Sequence, residues 1–177
     1  MKLRQKGFTY IEVVLAIAII GSVGVVSSGA IFQIFKGIDH DDEHLTAVGQ
    51  VHNAGYWISR DTQMAQSVSV DGLTLPDFLV LTWTEWDAAG DPVYHSARYF
   101  FADMVDGLGK LKRNHWSSAG ANEETFIAEH VYYDPGDVDN TTKASYLDSV
   151  LTLQLTAFYE GIQESREYRI IHRPNFY

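Results

Sequence analysis

From Val13 to Phe32 the chain runs 20 residues without a charged side chain. At 1.5 Å per residue, about 20 apolar residues cross the roughly 30 Å hydrocarbon core of a bilayer, so this run predicts a membrane-spanning helix. Lys2, Arg4 and Lys6 precede it, and the next cation is Lys36. Cations on a short flank stay on the cytoplasmic side, which predicts a cytoplasmic N-terminus with the rest of the chain outside. A secretory signal would place a small-x-small cleavage site after its apolar core. Here the small residue at a plausible junction, Gly7, comes before the run, and a protease acting there would leave the helix on the mature protein.

Glu12 lies at the start of this segment. A carboxylate inside a membrane helix costs about 2.5–3.5 kcal/mol on insertion scales, which marks it as a functional residue whose partner must be sought. An α-amino group on an adjacent copy of such a chain is one partner, since attraction in a low-dielectric medium recovers much of the cost. The plainer alternative is a single-span anchor whose acid snorkels to the interface, with no cleavage after Gly7. Gly21, Gly24 and Gly29, together with Ser22, Ser27 and Ser28, lower helix propensity in the middle of the run. They allow either close helix packing or local unwinding.

The stretch Gly7-Phe8-Thr9-Tyr10-Ile11-Glu12-Val13-Val14-Leu15-Ala16 resembles the N-terminal processing motif of bacterial type IV pilins and type II secretion pseudopilins. The resemblance covers about the first 30 residues, and beyond them it is one of architecture. It implies that prepilin peptidase cuts after Gly7 and methylates the new terminus, Phe8, and that Glu12 receives the amine of a neighbouring subunit. It also implies an inner-membrane assembly platform and sister subunits as partners. The expected division is a leader at 1–7, a transmembrane or filament-core helix at 8–38, and an extracytoplasmic head at 39–177. The expected fold is α+β and type IV pilin-like, with a long N-terminal helix packed on an antiparallel sheet. Arg60-Asp61, Ala65 and Gly109-Lys110-Leu111-Lys112-Arg113 resemble positions in J-type minor pseudopilins and related minor pilins. Retention of Glu12 argues against the K-type tip subunit.

About 140 residues follow the apolar run, enough for one domain with its own core. Leu45, Val48, Val51, Gly55, Ile58, Thr62, Ala65 and Val68 recur at spacings of three and four, the pattern of a helix laid on a sheet. Strands are predicted at 78–86, 93–101, 109–116, 126–133, 150–159 and 164–172. Ala88-Ala89-Gly90-Asp91-Pro92 and Glu160-Gly161 serve as turns. With no cysteine, disulfides contribute nothing. The formal net charge is −10 and becomes more negative once the leader cations are removed, which disfavours nucleic-acid binding.

No catalytic array, phosphate loop or dinucleotide fingerprint occurs, and an enzyme is not expected. His40-Asp41-Asp42-Glu43-His44 has zinc-compatible i, i+4 histidines but lacks the Glu that a zinc protease carries after its first His, so it is read as a solvated acidic collar. Asp134, Asp137 and Asp139, with Asn140, supply hard oxygens for calcium; the competing reading is an Asx-rich turn. No other cofactor is implied. Tyr56, Trp57, Trp83, Trp86, Tyr99, Phe100, Phe101, Tyr132 and Tyr133 are expected chiefly to fill the core, and otherwise to form a recognition surface. Asn140-Thr141-Thr142 matches a glycosylation sequon, a pattern common by chance. The leading reading is a minor pseudopilin or minor pilin that assembles into, or primes, a filament. A tip adhesin or substrate-binding subunit and a plain anchored domain are the alternatives.

Overall fold

The structure, a computed structural model, describes residues 9–120 and 122–172, with side chains at all of these positions except 34, 35 and 38–41. It is α+β: one long helix, α1 (Tyr10–Met64), precedes eight strands. The chain forms two compact units, Met1–Asp42 and Glu43–Tyr177. The first is the apolar portion of α1. The second contains the rest of α1 and all the strands.

The strands are β1 (Ser67–Ser69), β2 (Asp77–Trp86), β3 (Pro92–Val105), β4 (Leu108–Ser117), β5 (Asn122–Tyr132), β6 (Lys143–Leu147), β7 (Val150–Tyr159) and β8 (Ile162–Ile171). They form one antiparallel sheet in the order β1-β2-β3-β4-β5-β7-β6, with β8 on β7. β5 meets β7 through a single residue pair, Val131 with Ala157. The sheet therefore curls at this joint, and α1 closes it. Asn53 donates its side-chain amide to the Ile127 carbonyl at 2.6 Å, and Gln50 accepts the Glu129 N–H at 2.7 Å. These two amides supply hydrogen bonds on a stretch of β5 that has no strand on its β7 side. Asn53→Ala should cost about 1 kcal/mol, read as a lower urea midpoint of the full chain in detergent micelles; an unchanged midpoint would mean that the joint does not rely on this amide.

The helical face read from spacing packs largely as expected. Val51, Ile58, Thr62 and Ala65 are buried, and Gly55 lies so close to the Tyr168 ring that a Cβ there would collide with it. Leu45 is exposed. Val68 is not helical: α1 ends at Met64, the Gln66 N–H donates to the Thr82 carbonyl at 2.7 Å, and Val68 pairs with Leu81 in β1. The core joins Val51, Ala54 and Ile58 to alternating side chains of the sheet, among them Leu79, Leu81, Tyr99, Leu111, Ile127, Leu151, Leu153 and Leu155. Each fully buried aliphatic side chain contributes about 1.5–3 kcal/mol.

The turns follow local chemistry. Glu160 and Gly161 both have positive φ, +49° and +89°, the tight two-residue connection expected between β7 and β8. Asp87 caps the β2–β3 turn, accepting the Ala89 and Asp91 N–H groups at 2.9 and 2.8 Å. β1 and β6 are strands that the sequence reading did not anticipate, and β3 runs on to Val105.

Candidate functional site

Gly7 and Phe8 lie outside the described residues, as does the side chain of His40. Immediately after them, Thr9 stands at the N-cap of α1. Both its N–H and its hydroxyl donate to Glu12 Oε2 at 2.9 Å. This is one half of a capping box, in which the third helical residue reaches back to the cap. Glu12 is thus held at the helix start by its own chain, and these bonds lower the cost of placing it in an apolar medium. From Tyr10 to Gln33 the helix spans 24 residues, its most apolar stretch having mean hydropathy 2.2, long and apolar enough to cross a membrane. Ser22 and Ser28 donate to the carbonyls of Ile19 and Gly24 at 2.8 Å, which satisfies their hydroxyls within the helix.

In the second unit the chemistry gathers at the C-terminal end of α1. Asp61 is completely buried. Its Oδ2 accepts the Tyr99 hydroxyl at 2.6 Å and Arg113 Nε at 2.5 Å, while Arg60 approaches Oδ1 at 3.2 Å. The Trp57 ring lies 4.2 Å from the Arg60 guanidinium and 5.3 Å from that of Arg113. Burial, reinforced by the Asp61 charge, pushes the Tyr99 hydroxyl well above the usual phenol range. The sequence reading took Asp61 and Arg113 only as marks of resemblance. A charged residue on the buried stripe of an amphipathic helix was the available signal.

Beside this cluster is an open groove of about 430 Å³ lined by Trp57, Arg60, Trp83, Glu85, His95 and His115, among others. His95 Nδ1 and His115 Nε2 are 3.2 Å apart, with ring planes 2° apart and centroids 5.4 Å apart. The two nitrogens therefore lie nearly on the line between the rings. One N–H faces the other's lone pair, and the two do not converge on a third atom. Trp83 stacks on both rings, at 5.2 and 5.5 Å. Burial, then Arg113 and His95, hold His115 below the usual imidazole range. The pair, with Trp83 stacked on both rings, forms a wall of the groove.

The comparisons with known proteins come up empty. No family model, curated protein or solved structure matches this chain.

Asp134 and Asp137, two of the proposed calcium residues, both approach the Tyr132 hydroxyl and also bond within their own turn. Asp134 Oδ1 accepts the Gly136 N–H at 2.8 Å, and the Asp137 carboxylate accepts the Asn140 N–H at 3.1 Å and its amide at 3.2 Å. Asp139 lends its carbonyl to Gln154. Among the described residues no three acidic or histidine side chains form a metal-binding group. The segment is an Asx-rich turn. Within the sequon, the Asn140 amide is tied to Asp137 and Thr142 is buried. Of the nine aromatics, Trp83, Tyr99 and Phe101 are core, whereas Tyr56 and Trp86 are exposed. Tyr94 and Trp116, which the sequence reading passed over, are exposed as well.

Proposed function

We propose that this chain is a prepilin-type subunit, processed after Gly7, that inserts in the inner membrane and joins its sisters in a pseudopilus or pilus. The observation that carries the reading is Glu12, which follows Phe8 by four residues in the sequence and stands in the first turn of a 24-residue apolar helix. The order of a long helix followed by an antiparallel sheet supports a type IV pilin-like head and, among the subtypes, a J-like minor subunit. In this reading Phe8 and Glu12 dock neighbouring subunits and the N-terminus faces the cytoplasm. The second unit is periplasmic or extracellular, prepilin peptidase and the assembly platform are transient partners, and the role is assembly rather than catalysis. Exposed aromatics on the sheet favour, as a second reading, a subunit that also binds a ligand at the filament.

Mass spectrometry of the N-terminal peptide tests the proposal in sheared surface material and in membranes. A methylated Phe8 terminus is expected in at least one fraction. Its presence in sheared filaments favours a pilus, and its confinement to membranes favours a pseudopilus or priming complex. An intact Met1 terminus in both fractions would overturn the reading and leave an anchored domain.

A further inference from the structure

The face of the sheet turned away from α1 exposes a diagonal row of aromatic rings. Trp86 on β2, Tyr94 on β3 and Trp116 on β4 are 72%, 55% and 46% exposed. Alternation places them on one face: Leu81 and Trp83, Ala97 and Tyr99, and Leu111 and Arg113 are buried on the other. The register sets their order. Trp86 pairs with Pro92 and Thr84 with Tyr94, while Ser96 pairs with Trp116. Each ring is one strand over and two residues along from the next, a step of about 8 Å, so the row spans about 16 Å.

The side chains around these rings decide the ligand. Thr82, Thr84, Ser96, Asn114 and Asn122 share the face, and Asn114 donates to Asn122 at 3.0 Å. None is charged, in a chain of net charge −10. The nearest charges on this face, Arg98 and Glu124, lie in the adjoining row and have opposite signs. Asp87, at the hairpin tip, is engaged in capping its own turn.

Several partners are disfavoured by this composition. β3 and β4 are paired along both edges, and the outer edge of β2 is covered by β1 at residues 80–82 and by the Gln66 side chain at Thr84, which leaves little backbone for strand addition by another chain. Nucleic-acid bases stack on such rings, but their phosphates require free cations, and those on this face beside the row, Arg98 and Lys112, already pair with Asp77 and Glu124. An interfacial membrane surface couples its aromatics to an excess of Lys and Arg, whereas the cations of this face are matched by acids. Protein interface cores are rich in Tyr and Trp but depleted in serine, and here the rings stand one per strand among Thr, Ser and Asn rather than among aliphatic side chains. A neutral sugar polymer fits on each count. The C–H face of a sugar ring stacks on the negative face of an aromatic ring, its hydroxyls exchange hydrogen bonds with Thr, Ser and Asn, and no countercharge is needed.

We propose that this face binds a neutral polysaccharide, with Trp86, Tyr94 and Trp116 as successive stacking platforms and Thr84, Ser96 and Asn122 as hydroxyl partners. The site does not depend on processing at Gly7.

Cosedimentation of the full chain in detergent micelles with insoluble chitin and cellulose tests it. The wild-type chain is expected to pellet with at least one of the two, insensitively to salt. Trp86→Ala/Trp116→Ala should lose about tenfold or more in affinity. Trp86→Ala alone, at the most exposed ring, should give a smaller loss, and it secures the result if the double variant folds poorly. Phe126→Ala, an exposed aromatic outside the row, should bind as wild type. The proposal is overturned if the wild type is retained on neither polymer, or if the double variant binds undiminished. It is equally overturned if the row instead mediates salt-sensitive capture on anionic vesicles or self-association without polysaccharide retention.

Discussion

Asp61→Ala is expected to destabilise the second unit by about 3–5 kcal/mol, a large share of the roughly 5–15 kcal/mol that usually holds a domain folded. The carboxylate is wholly buried and bonded to Tyr99 and Arg113. Its removal leaves the Arg113 guanidinium, itself only 5% exposed, without a counterion and beside the Trp57 ring and the Tyr99 hydroxyl. Asp61→Asn keeps an acceptor but not the charge and should fall between the two. A double variant, Asp61→Ala/Arg113→Met, should recover part of the loss, because the buried charge then leaves with its partner. Urea unfolding followed by tryptophan fluorescence of the full chain in micelles measures all three. A wild-type midpoint for Asp61→Ala would show that the cluster adds nothing to stability. The same cluster sets an alkaline limit. The Tyr99 proton is held in the folded chain above the usual phenol range, by burial first and by Asp61 second. Its stabilisation is therefore complete below a pH of about 10 and is lost as pH rises from there through the folded value. Tyr99→Phe should flatten that alkaline decline while leaving the acid side unchanged.

The parts of the architecture that were legible in the sequence are those governed by local periodicity. Val51, Ile58 and Thr62 announced the buried helical face, and Leu79, Leu81 and Trp83 the inner face of β2, because burial on one side imposes spacings of three to four or of two. Glu160-Gly161 was legible because glycine admits the backbone the turn requires. What escaped depends on partners distant in sequence. β1 is three residues long and exists because Gln66 and Val68 find the free edge of β2; nothing in their own composition distinguishes them from a helix end. β6 is joined to β7 by Asp148-Ser149, both at positive φ, a turn whose residues tolerate that backbone without advertising it as glycine would. The outer aromatic row was invisible for the same reason. Trp86, Tyr94 and Trp116 lie on three different strands, and only the register aligns them.

At the N-terminus the informative experiment is a pair of substitutions, because Glu12 now has two candidate tasks. Its bonds to Thr9 make it a helix cap, and the proposed assembly makes it the acceptor for a neighbouring Phe8 amine. Glutamine preserves the first task, since its amide oxygen accepts from the cap as a carboxylate does, and abolishes the second by removing the charge. Alanine removes both, at a capping cost of about 0.5–2 kcal/mol. Loss of one member of a buried ion pair costs about 3–5 kcal/mol, or more than a hundredfold in incorporation. With each variant co-expressed beside the wild-type chain, mass spectrometry gives its share in assembled material relative to its share in the membrane. Equal exclusion of Glu12→Gln and Glu12→Ala, at undiminished membrane levels, is the expected result, and it assigns the charge to a contact between subunits. Normal incorporation of Glu12→Gln with a deficit confined to Glu12→Ala would instead return Glu12 to the role that its bonds to Thr9 already describe.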